Sequence, residues 1–134
     1  MISKKTQVVF VYGSLKRGFH NHHLLETSEL LGEATSCDRF VMWGAGFPFL
    51  ASKSRGHRVA GELYLVDLET LQCLDHLEGH PRFYRRQSRL FRTGRTRRRA
   101  WIYLVPQDRY QSSDVLVRPD RDSILRWSQE QAGW

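Results

Sequence analysis

Apolar positions along the chain fall into short runs punctuated by turn-forming residues, and the runs differ in period. Val8-Val9-Phe10-Val11-Tyr12 is continuous and of high β propensity, and it breaks directly into Gly13-Ser14. That is the form of a fully buried strand ending at a corner rather than in a solvent loop. From Phe19 to Gly32 the pattern turns helix-like, with Leu24, Leu25, Leu30 and Leu31 among polar residues and Gly32 placed as a stop, which predicts a short helix. Between residues 34 and 66 the runs Arg39 to Trp43, Phe47 to Ala51 and Val59 to Val66 read as three more strands.

Asp67 opens the clearest helix. Its carboxylate can cap the first turn, and Glu69 suits the positive end of the helix dipole. Leu68, Leu71, Leu74 and Leu77 recur near one turn as a face to bury, and Gly79 and Pro81 end the helix. Phe83 to Phe91 and Arg99 to Val105 then read as two strands joined by a turn at Thr93-Gly94-Arg95-Thr96. Trp101, Tyr103 and Val105 would point one way and Ile102 and Leu104 the other, so both faces are apolar and the strand is central. In the tail from Gln107 to Trp134, residues 122–131 suggest a short helix around Ile124, Leu125 and Trp127. An exposed Trp127 or Trp134 is a candidate oligomer contact, and the oligomeric state stays open.

At 134 residues with 40% hydrophobic and 12% aromatic content, the expectation is one folded domain over residues 1–134. No apolar run approaches a membrane span, and Met1 to Gln7 lacks the core of a signal peptide, so a cytoplasmic protein without a membrane partner is expected. Cys37 and Cys73 read as two free thiols. The net charge of +7 is concentrated in Arg85, Arg86, Arg89, Arg92, Arg95, Arg97, Arg98 and Arg99. No recognition helix, zinc-ligand set or interleaved stacking aromatics accompany these arginines, so they read as a solvated basic hairpin rather than a nucleic-acid surface. His20, His22 and His23 lack a carboxylate or cysteine to complete a metal site, and Gly44-Ala45-Gly46 opens no helix for a dinucleotide.

Two features stand out chemically. The corner at Tyr12-Gly13-Ser14-Leu15 combines glycine's conformational range, a hydroxyl and unpaired main-chain N–H groups, which together can bind an anion. The second is Glu78, in the last turn of the helix begun at Asp67, where a carboxylate faces the negative dipole end at a cost of roughly 0.3 to 1 kcal/mol if exposed. A residue that violates its local rule is a candidate functional group, and the dipole would help raise its proton affinity. Asp75, one turn earlier, reads as capping or pairing locally. Ser14 lacks a Gly-x-Ser-x-Gly elbow, which argues against a serine hydrolase.

Tyr12-Gly13-Ser14-Leu15-Lys16-Arg17-Gly18 resembles the opening motif of the γ-glutamylcyclotransferase-like (AIG2-like) family, and Asn21-His22 is similar to its γ-glutamylamine cyclotransferase subgroup. Gly61 to Asp67, Leu74 to Pro81 and Tyr84-Arg85-Arg86 resemble the family's central block in the same order, and Phe47-Pro48-Phe49 its cavity-lining segment. The resemblance spans roughly residues 7 to 105. It implies an α+β fold, a mixed and partly closed β-barrel with a few short helices. It also implies an enzyme that needs no cofactor and releases 5-oxoproline and an amine from a small γ-glutamyl amine or γ-glutamyl amino acid. Glu78 falls on the catalytic carboxylate, and Tyr12, Gly13, Ser14, Leu15 and Tyr84 fall on the substrate site. The alternative is a binding or regulatory protein that kept the barrel and uses its arginine cluster.

Overall fold

The computed structural model describes residues 6–44, 47–53, 55–106 and 115–128. Strand β1 (Thr6–Val11) pairs antiparallel with β5 (Arg58–Asp67) from Thr6↔Asp67 to Val11↔Glu62. The other edge of β5 takes β2 (Glu29–Ser36), again antiparallel. β6 (Arg85–Thr93) and β7 (Thr96–Leu104) form a hairpin. β7 runs parallel to β1 at Val9↔Trp101, and β6 meets β2 at Thr35↔Arg92 and Ser36↔Phe91. The order β1-β7-β6-β2-β5 therefore returns to β1, which makes a closed five-stranded mixed barrel. Its ladders are thin at the β1–β7 and β2–β6 seams. β3 (Phe40–Gly44) and β4 (Pro48–Ser52) form a separate sheet with β8 (Val115–Leu116).

Side-chain alternation divides the core in two. Phe10 and Tyr12 of the first run pack with Leu63, Phe91, Ile102 and Leu104, whereas Val9 and Val11 pack with Leu71, Leu74, Tyr103 and Val105. The rings of Phe10 and Phe91 stack at 4.2 Å although β7 lies between their strands, so the first set fills the barrel. The second set joins the barrel's outside to α1 (Leu68–Glu78). β7 buries residues on both faces, as its sequence predicts.

Three expectations are corrected. The 19–32 helix is only a 3-10 turn at His22–Leu25 followed by β2, and Gly32 lies at a bulge with φ +138° rather than at a helix stop. Here the backbone of Asn21 is already committed to Ser14, and tertiary bonding overrides the local pattern. In α1, Leu71 and Leu74 are buried but Leu68 and Leu77 are 47% and 40% exposed. Steps of three residues drift by about 60° each, so four leucines spaced by three span about half the helix circumference and cannot share one face. In the tail, Ile124–Leu125 is a short strand, β9, parallel to β5, and Trp127 is 3% exposed with its ring against Gly44. Leu125 and Trp127 are both buried and Arg126 is exposed, a period of two that marks a strand rather than a helix. Ala45, Gly46, residues 129–131 and Trp134 lie outside the described residues.

Asp67 does cap α1, accepting the Thr70 N–H at 2.7 Å. Cys37 and Cys73 are free thiols. Of the arginine segment, Arg92, Arg95, Arg97, Arg98 and Arg99 are exposed along the hairpin. Arg86 and Arg89 are instead ion-paired, to Asp75 and Asp38 at 2.8 and 2.9 Å.

Candidate active site

The corner after β1 is tied down from two sides. Lys16 N–H donates to the Gly13 carbonyl at 3.1 Å and Asn21 N–H to the Ser14 carbonyl at 3.0 Å. Asn21 Nδ2 donates to Ser14 Oγ at 2.8 Å, and His22 Nδ1 lies 2.9 Å from the Leu15 carbonyl, which fixes Nδ1 as the protonated nitrogen. From the barrel wall, the buried Glu62 carboxylate accepts the Arg17 N–H and the Tyr64 hydroxyl, each at 3.0 Å. Held this way, the main-chain N–H groups of Gly13, Ser14 and Leu15 donate to no protein acceptor among the described residues. Gly13 does not need a left-handed backbone, as its sequence position suggested it could. It needs space: a Cβ there would lie 2.8 Å from Pro48 Cγ.

Glu78 faces this corner across a cleft. It lies seven residues after Leu71 and four after Leu74, so at about 100° per residue it falls within about 40° of both buried leucines. The carboxylate thus sits on the core side of the helix end. Burial raises its pKa from 4.5 to about 7. The raised proton affinity was expected from the helix dipole, but desolvation is its cause. Gly79 closes the helix in the left-handed conformation, φ +67°, and turns the chain so that Phe83 and Tyr84 form the adjacent wall.

Asp75 differs although it is only one turn away. Burial pushes its carboxyl up, but the bonds from Arg86 Nε at 2.8 Å and the Tyr103 hydroxyl at 2.6 Å outweigh that and hold its pKa below the usual range. It is the local pairing residue expected. The tyrosine hydroxyls are likewise committed: Tyr12 donates to the Tyr103 carbonyl at 2.6 Å, and Tyr84 to the Pro48 carbonyl at 2.5 Å. Burial, reinforced by Glu78, pushes both well above their ordinary pKa, so both stay protonated. Tyr84 is therefore both core and pocket wall.

Tyr12, Gly13, Ser14, Leu15, Glu78 and Tyr84 all line one cleft of about 490 Å³, within the range of small-molecule sites. Among the described residues, no three His, Cys, Asp or Glu side chains are grouped to hold a metal ion. Residues 9–127 match the family profile described as Gamma-glutamyl cyclotransferase, AIG2-like. The chain belongs to this family. A relative from Methanocaldococcus jannaschii that carries a gamma-glutamylcyclotransferase name is 36% identical over 104 residues, covering 75% of this chain and 86% of its own length. The gamma-glutamylaminecyclotransferase of Rattus norvegicus is 41% identical over 87 residues, 58% of each chain. Among solved structures, the crystal structure of an AIG2-like protein from Mus musculus superposes with a TM-score of 0.69 at 26% identity, covering 92% of this chain and 95% of that one. The family and relatives are thus named for an enzyme activity, γ-glutamyl cyclotransfer.

Sequence reasoning missed Glu62, and left Asn21 and His22 without a task. A signal for Glu62 was present: it is a charged residue inside the apolar run Val59 to Val66, on the same strand face as Tyr64 and Val66, where a carboxylate must find partners.

Proposed function

We propose that the protein is a γ-glutamylcyclotransferase that closes the glutamyl part of a γ-glutamyl amine or γ-glutamyl amino acid into 5-oxoproline, with Glu78 as general base and acid. The observation that carries this is a desolvated carboxylate with a pKa near 7, sharing a largely apolar cleft with three main-chain donors that have no acceptor among the described residues. The N–H groups of Gly13, Ser14 and Leu15 are suited to the substrate α-carboxylate or to the developing oxyanion, since preorganised donors in a dry site are worth most.

Binding strips one proton from the α-ammonium to give the nucleophilic amine, and Glu78 relays it to solvent. The amine nitrogen attacks the γ-carbonyl carbon. As that C–N bond forms, the nitrogen gives a second proton to Glu78. The tetrahedral centre collapses, the old C–N bond breaks, and Glu78 delivers the proton to the leaving nitrogen. A base with a pKa near the operating pH serves both transfers, whereas an ordinary glutamate would be too weak a base. Because nucleophile and electrophile share one molecule, holding the folded conformer supplies the rest, worth roughly 7 to 11 kcal/mol when orientation is good.

The test is direct. The protein is incubated with γ-glutamyl amines, γ-glutamyl-ε-lysine and γ-glutamyl amino acids, and 5-oxoproline is measured by mass. Equimolar 5-oxoproline and amine from at least one, lost in Glu78→Gln, is the expected result. Release of free glutamate instead would mean that water is the nucleophile and that the assignment is wrong.

A further inference from the structure

The excess positive charge of the molecule lies on one hairpin. Residues 85–99 hold eight arginines and no acidic residue, which leaves 13 Lys and Arg against 14 Asp and Glu over all other positions. Two of the eight are used internally, Arg86 and Arg89, in their ion pairs to Asp75 and Asp38. Arg92, Arg95, Arg97, Arg98 and Arg99 are exposed, and among the described residues no carboxylate pairs with any of them.

The placement of these five opposes the hairpin's own stability. In the described pairings β6 last meets β2 at Arg92 and β7 first meets β1 at Trp101, so between those points the two strands pair with each other around the turn at Gly94, φ +59°. In this ribbon Arg92 stands directly opposite Arg97. Like charges so placed are destabilising. Alternation puts Arg99 on the same face, about 7 Å along the strand from Arg97, while Arg98 takes the other face opposite Phe91 and Arg95 sits in the turn. Cations therefore surround the ribbon instead of lying in one plane.

We propose that this ribbon binds duplex DNA independently of sequence, with its arginines against phosphates on both sides of the major groove. That groove is about 12 Å wide and admits a two-stranded ribbon, whose strands lie about 5 Å apart; the major groove of A-form RNA is deep and narrow. Guanidinium groups match phosphate oxygens with paired N–H donors, and contacts to phosphate need no recognition helix. A bilayer fits less well, because a flat surface meets only one face of the ribbon. None of the exposed large apolar side chains among the described residues, Leu30, Phe47, Leu68, Leu77 and Leu116, lies on the hairpin to anchor it there. The Glu78 cleft is remote: Tyr84 lines it, and β6 starts at the next residue and runs nine residues, about 30 Å, towards the turn. DNA binding therefore stands or fails separately from the cyclotransferase reading.

The test is fluorescence anisotropy of two labelled DNA duplexes of unrelated sequence, titrated with the full chain between about 50 and 200 mM salt. Wild type should bind both alike, with Kd of about 10⁻⁴ to 10⁻⁶ M at physiological salt, and log affinity should fall against log salt with a slope of about −3 to −5. Arg97→Glu should raise Kd about tenfold or more and make the slope shallower by about 1 or more. It should also melt no lower than wild type, since it turns the like-charge pair with Arg92 into an opposite-charge pair. Arg118→Glu makes the same charge change at an exposed residue off the hairpin, and should move Kd by no more than about twofold.

No binding at the lowest salt would overturn the proposal, as would a strong preference between the two duplexes. Tighter binding of duplex RNA, phosphatidylserine vesicles or polyglutamate would give the ribbon to another partner. Equal losses in the two variants would mean that net charge alone is at work, and Arg97→Glu melting below wild type would mean that the fold itself needs Arg97; either result also overturns it.

Discussion

Two clefts of nearly equal size, about 490 and 510 Å³, flank the loop that follows β1, and their charges are arranged in opposite ways. The second is lined by Lys16, Glu33, Glu62, Arg92 and Arg126, with Gly61 and Trp127. Several of these charges are satisfied by the protein. Lys16 Nζ donates to the Trp127 carbonyl at 2.7 Å, Arg126 pairs with Asp120 at 2.8 Å, and Glu62 holds the Arg17 N–H. Burial lowers the Lys16 pKa while Glu62 pulls it back up. In the first cleft Glu78 receives no such compensation from the described residues, and burial leaves its proton poised near neutrality. Cleft volume therefore does not distinguish the two sites; uncompensated desolvation does. The second cleft is the back of the scaffold whose front is the first.

The largest expected effect breaks that contrast at its centre. Glu78→Gln keeps the shape and removes the base, so kcat/KM for 5-oxoproline release should fall by about 10²- to 10⁴-fold. The same variant should be more stable than wild type above neutral pH. With a folded-state pKa near 7 against an ordinary 4.5, the folded protein holds more proton than the unfolded chain between those values, so stability is lost as pH rises through that window. Glutamine cannot ionise. At pH 8 it should unfold later than wild type by up to about 3 kcal/mol, with the gap closing towards pH 4.5. Melting curves at the two pH values check this, and a variant less stable at both would show that the carboxylate is compensated after all. Wild-type kcat/KM should rise as pH is raised towards 7, because the base is the ionised form.

Next in size is Gly13→Val, which drives a branched side chain into Pro48, a ring that cannot rotate aside. Overpacking of this kind costs about 1 to 3 kcal/mol. KM should rise as well, since the displaced segment carries the corner N–H groups. Thermal unfolding and substrate titration measured on one preparation separate the two losses; unchanged KM in a destabilised protein would remove the corner from substrate binding.

Glu62→Gln sharpens the comparison from the other side. The amide oxygen can keep one of the bonds to Arg17 N–H and the Tyr64 hydroxyl, but the charge is gone. The expected loss is about 1 to 2 kcal/mol, in the range of one charge-assisted hydrogen bond. It should appear as a higher KM with a smaller change in kcat, because Glu62 holds the loop through Arg17 N–H and does not line the cleft that contains Glu78. A drop in kcat alone would contradict that division.

The parts of the molecule that local pattern could reach were those governed by local physics. The strand alternation of β7, the Asp67 cap and the Gly79 stop were all legible, since each depends on residues within a turn or two. Barrel closure was not legible from period or propensity, because it rests on β1 meeting β7 across some ninety residues, and only the resemblance supplied it. The tail misled for a related reason: three apolar residues within four positions fit helix or strand equally, and only β5 and Gly44 decide the outcome. Glu78 was singled out through the helix dipole and the resemblance, while its spacing from Leu71 already placed it on the buried face. The anchoring of the corner by Asn21 and His22 lay beyond reach, and for Glu62 only its need of partners was legible, because sequence shows which groups can bond but not which are brought together.

Ser14→Ala should have the smallest effect, and it probes whether the corner works through main chain or side chain. The hydroxyl oxygen accepts Asn21 Nδ2 at 2.8 Å, and the Ser14 carbonyl independently accepts Asn21 N–H at 3.0 Å. Alanine removes only the first bond. The main-chain bond remains, so the loop should keep its course, and the cost should be that of one half-exposed hydrogen bond, about 0.5 to 1.5 kcal/mol of stability. The N–H of residue 14 survives the change, so KM should move by no more than a few-fold. Asn21→Ala removes the same bond from its other end. If the two variants report on one interaction, the double variant should cost less than their sum. A large loss of kcat in Ser14→Ala, with Asn21→Ala near wild type, would instead give the hydroxyl a part in the proton transfers and take that share of the chemistry away from Glu78.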